Sequence, residues 1–77
     1  MAVRAVQIEG VAEISWSPNT EPDLAGYNVY RNGVKLNDKP ITNTVFRDLT
    51  PGPSPRYTVT AVDTHNNQSD PSQEVRP

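Results

Sequence analysis

The chain has 77 residues, 34% of them hydrophobic and 21% charged, with a formal net charge of −2 and no cysteine. That length holds one small domain, which buries only about 60% of its unfolded surface, so any active site has to be shallow. The charge balance offers no basic face to nucleic acid; no apolar run nears the roughly 20 residues of a membrane span, and thiolate or disulfide chemistry is ruled out.

The apolar residues are bunched into short periodic runs, which indicates a folded all-β domain rather than a disordered segment. Val3 to Ile8 alternates with imperfect parity and predicts an edge strand, turned by Glu9 and Gly10. Val11 to Ser17 alternates cleanly: Ala12, Ile14 and Trp16 share one face, Glu13, Ser15 and Ser17 the other, which puts Trp16 in the core. Ser17 to Ala25, with two prolines and several short polar residues, is a loop. Gly26 to Gly33 is the strongest signal in the chain. Tyr27 and Val29 share one face of a strand, Asn28 and Tyr30 the other, and Asn32-Gly33 suits a type I′ turn.

Val34 to Leu36 then returns as a short strand, Asn37 to Pro40 is irregular, and Thr44 to Asp48 is the next strand, with Phe46 inward and Leu49 closing the corner. Pro51, Gly52, Pro53, Ser54 and Pro55 make a stiff connection over the surface, since proline excludes both helix and central strand. Tyr57 to Asp63 is a strand with Tyr57, Val59 and Ala61 on one face and Thr58, Thr60 and Val62 on the other. Thr64 to Pro71 reads as a polar loop and Gln73 to Arg76 as the last short strand. No helical period is present. Seven short strands with regularly spaced turns predict an antiparallel β-sandwich.

With these elements in place, the chain resembles a fibronectin type III domain, an immunoglobulin-like sandwich, and more closely the modules beside catalytic domains in secreted bacterial polysaccharide hydrolases. The matching residues are Ile14-Ser15-Trp16, Pro22 to Arg31, Leu49-Thr50-Pro51-Gly52, Tyr57 to Asp63 and Asn67-Gln68-Ser69, with Pro71-Ser72 following. Two departures stand out. The first strand lacks the family's proline-rich lead-in. Pro53, Ser54, Pro55 and Arg56 separate the corner Pro51-Gly52 from Tyr57 where the family has two residues, so the tyrosine-corner hydrogen bond is a question for the structure.

The resemblance implies a single domain over 1–77, with its core over about 3–76, excised from a larger extracellular or cell-surface bacterial protein such as a glycoside hydrolase or another carbohydrate-active enzyme. It implies a non-catalytic spacer or scaffold, monomeric, without cofactor, whose partners are the neighbouring domains of its own chain. A module that binds polysaccharide or protein is the alternative.

The residues themselves offer little chemistry. His65 is the only histidine and lies in a polar loop, which suits a solvated side chain better than a general base. Glu21 and Asp23 are the closest carboxylate pair, but in a proline loop and without a cleft they read as turn residues. Asp63, His65, Asn67 and Glu74 copy a calcium-loop count, yet Gln68 stands where glycine is needed, so no metal site is expected and Asp63 and Asn66 are expected to make Asx turns. Asn67-Gln68-Ser69 fits a glycosylation acceptor, of use only in a eukaryotic secreted protein, and no Arg-Gly-Asp is present. Of five aromatics, parity sends Trp16, Tyr27, Phe46 and Tyr57 inward. Tyr30 remains as the one ring placed to touch a ligand, and one ring is a poor sugar platform.

Overall fold

The computed structural model covers residues 1–77 and forms two antiparallel three-stranded sheets with no helix. β1 (Val3–Ile8) and β2 (Val11–Trp16) form a hairpin, and β5 (Val45–Asp48) pairs with the far side of β2, giving the order β1-β2-β5. The second sheet has the order β4-β3-β6, from β3 (Leu24–Arg31), β4 (Val34–Lys35) and β6 (Tyr57–Asp63). Both hairpin turns are two residues long with positive φ throughout: Glu9 at 52° with Gly10 at 81°, and Asn32 at 51° with Gly33 at 84°. That geometry matches the right-handed twist of the flanking strands.

The alternation in the sequence becomes the core. Ala12, Ile14 and Trp16 of one sheet meet Tyr27, Val29, Tyr57, Val59 and Ala61 of the other. Trp16 and Tyr27 touch edge to face across the sheets, with ring centroids 5.4 Å apart and planes at 66°, a favoured arrangement for aromatic quadrupoles. The indole Nε1 of Trp16 is buried without a hydrogen-bond partner. Phe46, opposite Ile14 in the register, packs half-buried at the margin. Gly26 allows a close approach of the chain: a Cβ there would stand 2.8 Å from both the Ile41 carbonyl oxygen and Pro40 Cβ.

Three expectations need correcting. Leu49 does not close the corner but is 71% exposed, because the corner is tied by its neighbour Asp48 instead. The proline-rich connection is not wholly superficial, since Pro51 and Pro55 are buried. Its extra length is taken up by left-handed steps at Gly52 (φ 69°) and Ser54 (φ 51°), while the Arg56 amide donates to Asn32 Oδ1 at 3.0 Å.

The C-terminal segment also departs from the expected pattern. There are six strands rather than seven, and Gln73 to Arg76 is not one of them. Residues 68–75 run beside β6 instead, with isolated bridges at Val62↔Gln68 and Tyr57↔Val75. Between these bridges two serines fasten the segment. The Ser69 amide donates to the Ala61 carbonyl at 2.8 Å, and Ser69 Oγ accepts from the Ala61 amide at 2.9 Å. Ser72 repeats both contacts with Val59 at 2.9 Å each. Ser69 to Ser72 therefore spans three residues against the two from Ala61 to Val59, a bulged pairing in which Pro71 occupies a step that needs no donor.

Replacing Trp16 with Ala is expected to cost about 3–5 kcal/mol, a large share of a small domain's stability; an unchanged midpoint in urea would contradict its central place. Ser72→Ala leaves the Val59 amide without its acceptor and is expected to cost about 1–3 kcal/mol, with faster hydrogen exchange at Val59. Unchanged exchange there would mean that the Ser72 hydroxyl is not what protects that amide.

Candidate functional site

Three places gather polar side chains. The first lies inside, at the end of the sandwich where β5 meets β3 and β6. Arg31 and Tyr57 are partners in the β3–β6 register, and both reach the same oxygen of Asp48: Arg31 Nη1 and the Tyr57 hydroxyl each donate to Oδ2 at 2.7 Å. Arg31 Nη1 also donates to the Thr50 carbonyl at 2.9 Å, and the Thr50 amide donates to Asp48 Oδ1 at 3.2 Å. The tyrosine corner thus forms through a carboxylate. Burial pushes the Asp48 carboxyl up, but hydrogen bonds from Arg31, Tyr57 and the Thr50 amide, with the Arg31 charge, hold it below the usual carboxylate range. Burial first, then the bond to Asp48 and its charge, pushes the Tyr57 hydroxyl above the ordinary tyrosine range. Both oxygens of Asp48 are engaged, the group links the two sheets, and none of the surface hollows is lined by it.

The second place is the outer face of the β4-β3-β6 sheet, where Tyr30 lies. Its hydroxyl donates to Gln68 Oε1 at 2.7 Å, and Thr60 Oγ1 donates to the same oxygen at 2.8 Å. The bridge to Val62 brings Gln68 over the edge of β6. This is why Thr60, Val62 and Asn28, on the face that alternation assigns to solvent, are buried. Two shallow hollows flank Gln68. One, of about 360 Å³, lies between Tyr30, Thr58 and Pro71; the other, of about 260 Å³, lies over Asn28 between Lys35, Asp38 and Asn66. Sequence reasoning found Tyr30 and missed Gln68 and Asn28, whose approach depends on the path of the last segment.

The third place is the loop after β6. Asp63 Oδ1 accepts from the amides of His65 (2.8 Å) and Asn67 (2.9 Å), and Oδ2 accepts from Asn67 Nδ2 (3.1 Å). These bonds, those of Asn67 first, lower the Asp63 pKa. Asp63 makes the expected Asx turn, whereas Asn66 contributes a left-handed residue, φ 65°, rather than a cap. The fold brings Asp23 to this loop, so that ligand atoms of Asp23, Asp63 and His65 lie within 4.8 Å of one another. Glu21 is not part of this group and accepts from Asn19 Nδ2 at 3.1 Å. The oxygens of Asp63 are already engaged with its own loop, and Asp23 is joined to it by one backbone bond, Thr64 amide to Asp23 carbonyl, 2.9 Å. The trio is a pinned loop.

The sandwich, its strand order and the corner at Tyr57 define a fibronectin type III-like, immunoglobulin-like β domain. More narrowly, the chain belongs to the family described as the rhamnogalacturonan I lyases beta-sheet domain, whose model matches residues 1–77. The crystal structure of an Fn3-like protein from Clostridium thermocellum is similar, with a TM-score of 0.75 at 26% sequence identity over 97% of this chain and 84% of that one. No curated protein matches the sequence.

Because the folded pKa of Asp48 is depressed, its contribution to stability is complete above the ordinary carboxylate pKa of about 3.9 and is lost as pH falls through the folded value. The unfolding free energy is therefore expected to hold level from neutral pH to about pH 5 and to fall below about pH 4. Asp48→Asn should lower it by roughly 1.5–3 kcal/mol at neutral pH and flatten the acid limb. An acid limb identical in the variant, followed by urea titration at several pH values, would assign it to other carboxylates.

Proposed function

We propose that this domain is a non-catalytic accessory module of an extracellular polysaccharide lyase acting on rhamnogalacturonan, and that it spaces or supports the catalytic domain of that protein. The observation that carries the reading is the match of the whole chain to a β-sheet domain named for these lyases. The family's name speaks of lyases, so the parent enzyme is read as a lyase rather than a hydrolase.

The physical chemistry supports the non-catalytic half of the reading. Elimination from a uronic acid needs a base placed over the acidic C–H and cations or donors that stabilise the developing negative charge, all within a cleft. Here the one histidine is exposed beside two carboxylates, and the arginine of the most developed polar cluster is spent on Asp48. The inward aromatics are packed into a single core.

The isolated domain is expected to release no unsaturated product from rhamnogalacturonan I, followed by ultraviolet absorbance over hours at high protein concentration. Product release that disappears in a His65→Ala variant would overturn the reading. A binding role beside the spacing role is favoured by one observation, the free amide group in the hollow over Asn28.

A further inference from the structure

We infer that the outer face of the β4-β3-β6 sheet, centred on Asn28 and Gln68, is a saccharide-binding site that recognises vicinal hydroxyl groups of a pyranose; the inference rests on the accessory-module reading above.

Val29 N–H is buried and needs an acceptor, and it finds one in Asn37 Oδ1 at 2.9 Å. That bond fixes which way the Asn37 amide faces. Its Nδ2 is turned toward three oxygens: Lys39 O at 2.7 Å, Asn28 Oδ1 at 2.9 Å and Tyr27 O at 3.3 Å. Asn28 must in turn present its oxygen to Asn37, which directs its nitrogen the other way. The Asn28 side chain is thus oriented by a relay that begins in the backbone of β3.

Asn28 is only 6% exposed, yet its Nδ2 donates to no protein group. Trp16 Nε1 is the only fully enclosed side-chain nitrogen or oxygen without a partner. The Asn28 nitrogen therefore opens into the hollow that it lines, the one of about 260 Å³ bounded by Lys35, Asp38 and Gln68. A buried amide with one side satisfied and the other held open to a hollow is a donor in search of a ligand atom.

Its surroundings match one chemistry. Asp38 supplies an acceptor, Lys35 and the free Nε2 of Gln68 supply donors, and Val62 and Pro40 are the apolar members of a mainly polar lining. Donors and an acceptor gathered around one small hollow suit adjacent hydroxyls, each of which donates once and accepts. Lys35 and Asp38 carry opposite charges, so the hollow has no net preference for an anion. Beyond Gln68, the ring of Tyr30 borders the second hollow and lies where a following sugar unit would stack. The single ring visible in the sequence thus belongs to a set of polar groups contributed by β3, β4 and the last segment.

The test is a titration of the labelled 77-residue domain with rhamnogalacturonan I oligosaccharides and, in parallel, with maltoheptaose, followed by nuclear magnetic resonance. The expected result is saturable shifts of the Asn28 and Gln68 side-chain amides and of the Tyr30 ring with both sugars. A small open site places the Kd on the order of millimolar. Gln68→Ala and Asp38→Ala, both at exposed positions, should each weaken binding about fivefold or more with the Trp16 resonances unmoved, and Arg4→Ala on the opposite sheet should leave it unchanged. Binding of the acidic oligosaccharide alone, lost in Lys35→Ala, overturns the inference, since the site would then read the uronate carboxylate rather than the hydroxyls. Absence of shifts at about 10 mM oligosaccharide, shifts confined to the β1-β2-β5 sheet, or affinity unchanged in both the Gln68 and Asp38 variants overturns the inference. Product release in the same samples separates the two claims: no binding and no product removes only the site, whereas product release removes the accessory-module reading.

Discussion

One carboxylate oxygen joins the two sheets. Asp48 sits on β5, and its Oδ2 accepts from Arg31 on β3 and Tyr57 on β6, both at 2.7 Å. Since Arg31 and Tyr57 are already neighbours in the β3–β6 ladder, the oxygen meets a prepared pair of donors, and little further ordering is needed to make the contact. A domain without a disulfide and with a core of eight buried residues has few other ways to set the spacing of its sheets. Removing either donor leaves a buried charge under-satisfied, which costs more than the bond contributes when made. The longer connection through Pro53 and Pro55, with left-handed steps at Gly52 and Ser54, still delivers the Tyr57 hydroxyl to Asp48.

The local features were legible from the sequence because their physics is local. Period-two alternation in Val11 to Trp16 and in Tyr57 to Asp63 selects the faces that form the core, and Asn32-Gly33 turns where two positive-φ residues are tolerated. The seven strands expected and the six observed differ where side chains replace backbone: nothing in the spacing of Ser69 and Ser72 reveals that their hydroxyls would accept the amides of Ala61 and Val59. Leu49 was misplaced because apolar character alone was set against a charged neighbour that had two partners waiting across the sandwich. Arg31 and Asp48 are 17 residues apart, and no pattern of residue types ties them together.

The candidate site follows the same division. Tyr30 could be named from parity, because an outward aromatic on a strand is a property of its own strand. Asn28 has the same parity, and alternation alone gives it no role. What sets it apart is Asn37, which stands outside any strand and answers an amide on β3, together with Gln68, which crosses the edge of β6. Both arrive from segments without regular structure, where alternation says nothing.

The serine-fastened segment along β6 has an effect beyond the fold of one module. An open strand edge is a row of amide and carbonyl groups that any extended chain can extend, and repeated domains in one protein hold such edges near each other at high local concentration. Here the outermost backbone is bulged twice and carries a proline, with Ser69 and Ser72 hydroxyls turned inward to β6. It presents no even row of groups for a further strand to copy. On that side the sheet is closed to growth, so a tethered copy or a misfolded neighbour finds nothing to zip onto, and the aggregation risk of the open edge is removed by two hydroxyl groups and a ring.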